Sequence, residues 1–438
     1  MAVQKPTHSD KKSSSTKTKE SNQTSLFRQT HYIMASNDVA IIGAGLSGLA
    51  LALSLHKQSI PCTIYEARSA SLDIGGAIML SPNALRILDA LDIYEKIKPR
   101  GFEFTNLHFY TDKPLDSYEF GNREKYQYDA LRIYRYELID VLLTVVKEKG
   151  IPIEYGKKFT QVLTESETEV TWEFEDGKTG RAACLVGADG IHSRVRNYLY
   201  PDLEPQFTNA VGVTAAVPTS QLKETDAYEM PVTIMNPKHG AFVIAKQLPD
   251  GSEVLIGKQK RAAELGREGW NKLLSDKQWC VDFLREGSET FPEIVQSSVS
   301  NIPLDGINLW PFYVVPKLDT WASQHSRVVI LGDAAHAIPP TAGQGVNQAF
   351  EDVYIYALIL SKCQQHNLEQ GLKVWQKGRQ ERVDRVLDLN AQIDARRMPK
   401  NPASAPSVLD AKPFDLAWLY SPKFDEMAEC WLAEVGIE

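Results

Sequence analysis

The residues of this chain best suited to chemistry fall into three clusters, the first being Gly43-Ala-Gly45-Leu-Ser-Gly48, a G-x-G-x-x-G run. In such a run the first glycine permits a tight turn, the second lets backbone approach a pyrophosphate, and the third allows a helix to pack closely on a strand. Those are the parts of Gly43, Gly45 and Gly48, while the amide N–H groups that open the next helix would face the phosphate charge. The flanking sequence agrees. Asp38-Val-Ala-Ile-Ile reads as a buried strand, Leu49 to Lys57 as a helix and Thr63-Ile-Tyr-Glu66 as a second strand, which together make a βαβ unit. Glu66 ends that second strand, where an acidic side chain can accept hydrogen bonds from a ribose. The alternative, a purely structural turn, accounts for the glycines but not for the acid. An adenine dinucleotide is therefore expected, and on this pattern alone NAD, NADP and FAD remain equivalent.

The second cluster, Gly187-Ala-Asp189-Gly190-Ile-His-Ser193-Arg-Val-Arg196, follows the apolar stretch Ala183-Cys-Leu-Val. The third runs from Val328 through Gly332-Asp333-Ala-Ala-His336 and Gly343-Gln-Gly345-Val-Asn347 to Asp352. Asp333 follows four apolar residues that read as a buried strand, so its carboxylate belongs at a strand's carboxyl end, where α/β folds bind ligands. A plain helix cap is the competing reading. The glycines and prolines that follow allow a loop to run close under a flat ring and to start a helix over Val346 to Lys362. The positive end of that helix would favour an anion.

These three clusters, in this order, resemble the class A flavoprotein monooxygenases, the family of p-hydroxybenzoate and salicylate hydroxylases and of many fungal biosynthetic oxygenases, with the resemblance running from Asn37 to Leu389. It implies FAD as the bound cofactor, NADPH (or NADH) as co-substrate, dioxygen, and oxygen insertion into a small aromatic or electron-rich molecule of secondary-metabolite type. Carried onto this chain, it gives Glu66 the adenosine ribose, Asp333 the ribityl hydroxyls, and the backbone of Gly345, Val346 and Asn347 the polar edge of the isoalloxazine. Arg135 matches the family's arginine near the flavin and its phosphates; on composition alone it could equally form a surface ion pair on an amphipathic helix. Asp189 and Gly190 match a dual motif that supports FAD and is linked to NADPH contact. His336 invites a general-base reading, but in the family that position is mainly structural. A flavin dehydrogenase or oxidase, or a silent flavin-binding protein, is the alternative function.

Positioning these groups calls for an α/β fold: a Rossmann-type FAD-binding domain over 37–200 and 325–390, an inserted β-sheet substrate domain over 201–324 and a C-terminal helical packing segment over 391–438. The first 36 residues, rich in Ser, Thr, Lys and Gln, read as a disordered extension, with Met34 a possible start. Short alternating runs such as Ala210 to Val217 and Gly240 to Ala245 suggest the strands that roof the flavin. His239 and Tyr313 are pocket candidates there, with Tyr228, Lys246 and Trp310, although each could as well be an ordinary core or surface residue. Many fungal phenol hydroxylases carry an arginine where this chain reads Val211-Gly-Val-Thr214, which shifts weight towards a non-phenolic substrate. Metal ligands find no suitable grouping, and catalytic residues are not assigned.

Composition sets the outer limits. At 438 residues the chain can bury more than one core, and 43% hydrophobic with 24% charged residues is the balance of a globular protein. A net charge of -8 without basic clusters argues against nucleic acid as a partner. Five scattered cysteines point to a reducing compartment and so to the cytoplasm, with organellar targeting by the N-terminal extension the alternative, and no apolar run is long enough to span a bilayer.

Overall fold

Runs that are apolar at every position need helices on both faces, and this is how the first sheet is built. The computed structural model describes residues 38–70, 76–339, 343–397 and 414–437. The amino-terminal extension, including Met34, lies outside the described residues, as does 398–413 of the C-terminal segment. In chain order the strands begin with β1 (Val39–Ile42), β2 (Cys62–Glu66), β3 (Ala77–Leu80), β4 (Phe102–Phe104), β5 (Asn106–Tyr110), β6 (Pro114–Glu119), β7 (Ala130–Tyr134) and β8 (Ile153–Tyr155). They continue with β9 (Phe159–Glu165), β10 (Val170–Phe174), β11 (Thr179–Ala182), β12 (Cys184–Gly187) and β13 (Gln206–Pro218). The last are β14 (Val232–Asn236), β15 (Gly240–Lys246), β16 (Glu253–Arg261), β17 (Asn308–Val314) and β18 (Val328–Ile330).

The first sheet has five strands in the order β18-β12-β1-β2-β8, all parallel. Each of the three chemical clusters leaves the carboxyl end of one of its strands: β1 before Gly43, β12 before Asp189 and β18 before Asp333. One helix, Leu46–Lys57, packs against the sheet and against helices Arg135–Glu148 and Gly345–Lys362, with Leu46 and every residue from Gly48 to Leu55 buried. Its close approach depends on a missing side chain. A Cβ at Gly48 would stand 1.9 Å from the Gly43 carbonyl oxygen, and Gly43 itself has φ of 107°.

The larger sheet has seven strands in the order β17-β13-β16-β15-β14-β5-β6. Alternation decides its two faces. Val211, Val213, Ile234, Phe242, Ile244 and Ile256 bury one face against helices Gly266–Ser275, Lys277–Arg285 and Glu293–Ser298 in a core of their own. Gly212, Thr214, Thr233, Val243 and Gly257 take the other face, which lines a cavity. Two of the strands, β5 and β6, come from 106–119, a stretch the sequence assigned to the cofactor-binding part, because Leu107 and Phe109 supply the apolar alternation that fits beside β14.

Two three-stranded sheets, β11-β10-β9 and β3-β7-β4, complete the strands. Helices Leu368–Arg397, Ala417–Tyr420 and Phe424–Ala433 close the chain against the cofactor side, with Leu419, Tyr420, Phe424 and Leu432 buried. The result is the expected architecture: a Rossmann-type α/β part, a β-sheet part and C-terminal helices.

Candidate active site

A cavity of about 1240 Å³ runs from the glycine turn after β1 to the open face of the seven-stranded sheet. Single small-molecule sites usually fall at about 300–1,000 Å³, so there is room for a cofactor and a further molecule. Gly45, Arg135, Gly190, Asp333, Gly345 and Val346 all line it, and so do Trp310 and Tyr313.

The remaining motif residues act one layer behind. Glu66 is 6% exposed; its Oε2 accepts from the Ala44 amide at 2.9 Å and its Oε1 from the Arg68 amide at 2.9 Å, which ties the glycine turn to the end of β2. Asp189 Oδ2 accepts from the amides of Arg194 (2.8 Å) and Val195 (3.2 Å), while its Oδ1 is buried without a partner. Burial raises the pKa of that carboxyl, and the nearby Ser193 hydroxyl and the two amides only partly counter the rise. Asn347 donates from Nδ2 to the carbonyls of Met79 (3.0 Å) and Gly343 (2.7 Å) and accepts from the Ser81 amide at 2.9 Å. It therefore staples the loop before helix Gly345–Lys362 onto β3.

Asp333 is the exposed residue of an otherwise buried turn, and it opens into the cavity. The turn is held from below by Asp352, whose Oδ2 accepts from the Gly332 amide (2.9 Å) and stands 2.5 Å from His336 Nε2, while Arg379 Nε donates to its Oδ1 at 2.8 Å. Next to it Glu351 accepts from Arg382 Nε (2.5 Å) and Nη2 (2.7 Å), from Asn83 Nδ2 (2.7 Å) and from Arg379. Burial alone would raise the pKa of both carboxyls. Arg382 and Arg379 beside Glu351, and His336 and Arg379 beside Asp352, outweigh it and hold both below the usual range. His336 is thus locked in a structural pair beneath the site. This network escaped the sequence reading, since charges along a helix ordinarily mark a solvated face.

Arg135 opens its helix with the guanidinium 5.9 Å from the Trp310 ring centroid and no carboxylate within ion-pair distance among the described residues. Burial lowers its pKa, and the charge of Asp333 partly restores it. The cavity lining fits a dinucleotide with a diphosphate. A Cβ at Gly45, Gly190 or Gly345 would meet nothing within 4 Å, so the space beside these backbones is open, and an unpaired guanidinium faces the same space.

Of the pocket candidates in the large sheet, Tyr313 and Trp310 reach the cavity. Tyr313 Oη accepts from Trp270 Nε1 at 3.2 Å and donates to Glu264 Oε1 at 3.1 Å. His239, Tyr228 and Lys246 are not brought to it: His239 packs on Gly287 in the turn after β14, the Tyr228 ring lies 5.0 Å from that of Tyr110, and Lys246 Nζ sits 5.4 Å from the Phe102 ring. One lining residue that sequence reasoning missed is Arg132 on β7.

With this geometry in hand, comparison with known proteins is direct. The family model described as FAD binding domain matches residues 36–390, and the chain belongs to that family. A 3-amino-4-hydroxybenzoate 2-monooxygenase of Streptomyces platensis is 28% identical over 336 residues, covering 76% of this chain and 81% of the relative. A salicylate hydroxylase of Pseudomonas putida is 29% identical over 381 residues, covering 80% and 83%. The crystal structure of CtdE in complex with FAD and a substrate superposes with a TM-score of 0.73 at 20% identity, over 91% of this chain and 98% of that one, which shows the shared fold. Within the family the chain is an FAD-dependent hydroxylating monooxygenase of the class A kind that its motifs resemble. No helix among the described residues is long and apolar enough to cross a membrane.

Proposed function

We propose that this protein uses NADPH and dioxygen to hydroxylate or epoxidise a small aromatic or electron-rich molecule held beneath the seven-stranded sheet. The observation that carries the reading is the single cavity joining the Gly45, Arg135 and Asp333 surface to the face bearing Gly212, Thr214 and Gly257. FAD, when bound, accepts hydride from the nicotinamide and activates dioxygen.

The chain's own residues bind, orient and shield. Arg135 neutralises phosphate charge, Asp333 accepts from ribityl hydroxyls, Glu66 fixes the glycine turn beside the adenosine ribose, and Asp189 with Gly190 shapes the second rim. The amides of Gly345, Val346 and Asn347 would hold the polar edge of the ring, where the helix that begins at Gly345 favours negative charge. Apolar walls from Leu107, Phe109, Val243 and Leu255 exclude water around the reacting carbon. The relatives named for salicylate and for 3-amino-4-hydroxybenzoate support a small aromatic substrate. A place in secondary-metabolite biosynthesis accords with the resemblance to fungal biosynthetic oxygenases, and a cytoplasmic one with the scattered cysteines.

Turnover in labelled dioxygen tests the proposal. One heavy oxygen atom is expected in the product and the other in water, with NADPH oxidation accelerated by substrate. Label arriving from water, or turnover without oxygen, would assign a dehydrogenase instead, and a yellow protein that never oxidises NADPH a silent flavin binder.

A further inference from the structure

On β7 the alternation of Ala130-Leu-Arg132-Ile-Tyr134 sends Leu131 and Ile133 into the main core. Arg132 takes the opposite face, in register with Met79 on β3 and Phe102 on β4, at the centre of its three-stranded sheet. It is 6% exposed and lines the cavity. Its Nε donates to Oε1 of Gln247, a residue fully buried at the end of β15. Among the described residues its Nη1 and Nη2 donate to nothing, and no carboxylate lies within ion-pair distance. Met79 stands beside it in register on β3, and Leu107, Phe109 and Leu255 are apolar members of the same cavity wall.

Such an arrangement leaves a largely buried charge on the cavity wall with no counter-ion, a place that favours an anion. Burial brings the Arg132 pKa down to about 10, so the group still carries its charge at neutral pH. Gln247 occupies the Nε and so fixes the plane of the guanidinium, with its own Nε2 buried and unpartnered. The free end is the pair Nη1 and Nη2, two parallel donors spaced for the two oxygens of one planar anion.

We infer that Arg132, held by Gln247, anchors a carboxylate on the substrate, so that the substrate class is an apolar carboxylic acid bound with its acid group at β7. The inference rests on the monooxygenase reading and deepens it. It also places the substrate's charge on the cofactor-side sheet, whereas Val211-Gly-Val-Thr214 of the seven-stranded sheet carries none.

The test uses the full-length FAD-loaded protein, titrated with benzoate and with its neutral isostere benzamide while the flavin absorbance is followed. Benzoate should bind at least about tenfold more tightly than benzamide, as expected for a charge-assisted bidentate pair. In Arg132→Met that preference should vanish, with benzamide binding, flavin content and melting temperature unchanged. Equal binding of the two probes to the unsubstituted protein overturns the inference without requiring any variant to fold. Retained benzoate preference in Arg132→Met overturns it too, and loss of FAD from that variant would give the arginine to the cofactor. If the unsubstituted protein carries no flavin at all, the monooxygenase reading itself fails, an outcome separate from each of these.

Discussion

The five-stranded parallel sheet and the seven-stranded sheet border the same cavity, yet they specify it in opposite ways. On the parallel side, function is held in backbone geometry: Gly43 and Gly48 cannot carry a side chain without collision, and Asn347 and Asp352 tie loops by two or more bonds each. On the seven-stranded side, the cavity face is made of Gly212, Thr214, Thr233, Val243 and Gly257, where the constraint is side-chain size: a Cβ at Gly212 would stand 3.1 Å from the Phe312 ring and one at Gly257 3.1 Å from the Thr214 methyl, contacts that a shift of a few tenths of an ångström relieves. The parallel side is therefore held by backbone conformation and buried ties, and the open face of the seven-stranded sheet by the sizes of its side chains.

That contrast can be broken most sharply beneath the cofactor. Glu351→Ala leaves Arg382 without a carboxylate partner in the core and Arg379 with Asp352 alone, at an expected cost of about 3–5 kcal/mol. Denaturant unfolding measures it; a cost below about 1 kcal/mol would mean that the parallel side is as tolerant as the other. Asp333→Ala comes next. Removal of the proposed acceptor for ribityl hydroxyls should weaken FAD by about 10- to 100-fold at roughly 1–3 kcal/mol, with the chain still folded. Flavin occupancy after desalting reads this directly, and unchanged occupancy would remove Asp333 from the cofactor site.

On the seven-stranded side the effects should be small. Tyr313→Phe removes the hydroxyl that joins Trp270 to Glu264, worth about 0.5–1.5 kcal/mol, so KM should rise by less than about tenfold with flavin content intact. His239→Ala should change neither turnover nor the yield of product per NADPH, because His239 packs on Gly287 outside the cavity lining. Increased peroxide release from that variant would bring the turn after β14 into the working site.

What could be read in the sequence follows the same division. The turn at Gly43 and the acid at Glu66 were legible because backbone geometry demands those residue types at fixed spacing, and Asp333 and the loop to Asn347 because the run from Val328 to Asp352 keeps the family's motif. Arg132 was not, since an arginine between Leu131 and Ile133 looks like the solvent side of an alternating strand; Gln247, which covers it, is 115 residues further along the chain. The Glu351–Arg379–Arg382 network was hidden for a related reason, being made of charges on two helices that only packing turns inward. Tyr228, His239 and Lys246 were singled out by chemical type, but whether a residue of a strand or its turn reaches a cavity depends on register, which composition does not carry.

The parallel pairing of β5 with β14 has a consequence for exchange of parts between proteins. The sheet over the cavity is woven from two stretches of chain, Asn106–Glu119 and Gln206–Val314, with the β12 strand of the parallel sheet lying between them in sequence. Excising the later stretch alone would leave β14 with an open edge and strip Leu107 and Phe109 of the surface they cover. The roof is therefore not a cassette: a chimera that seeks a new substrate has to graft both stretches together, and a crossover placed between them would divide one sheet between two parents.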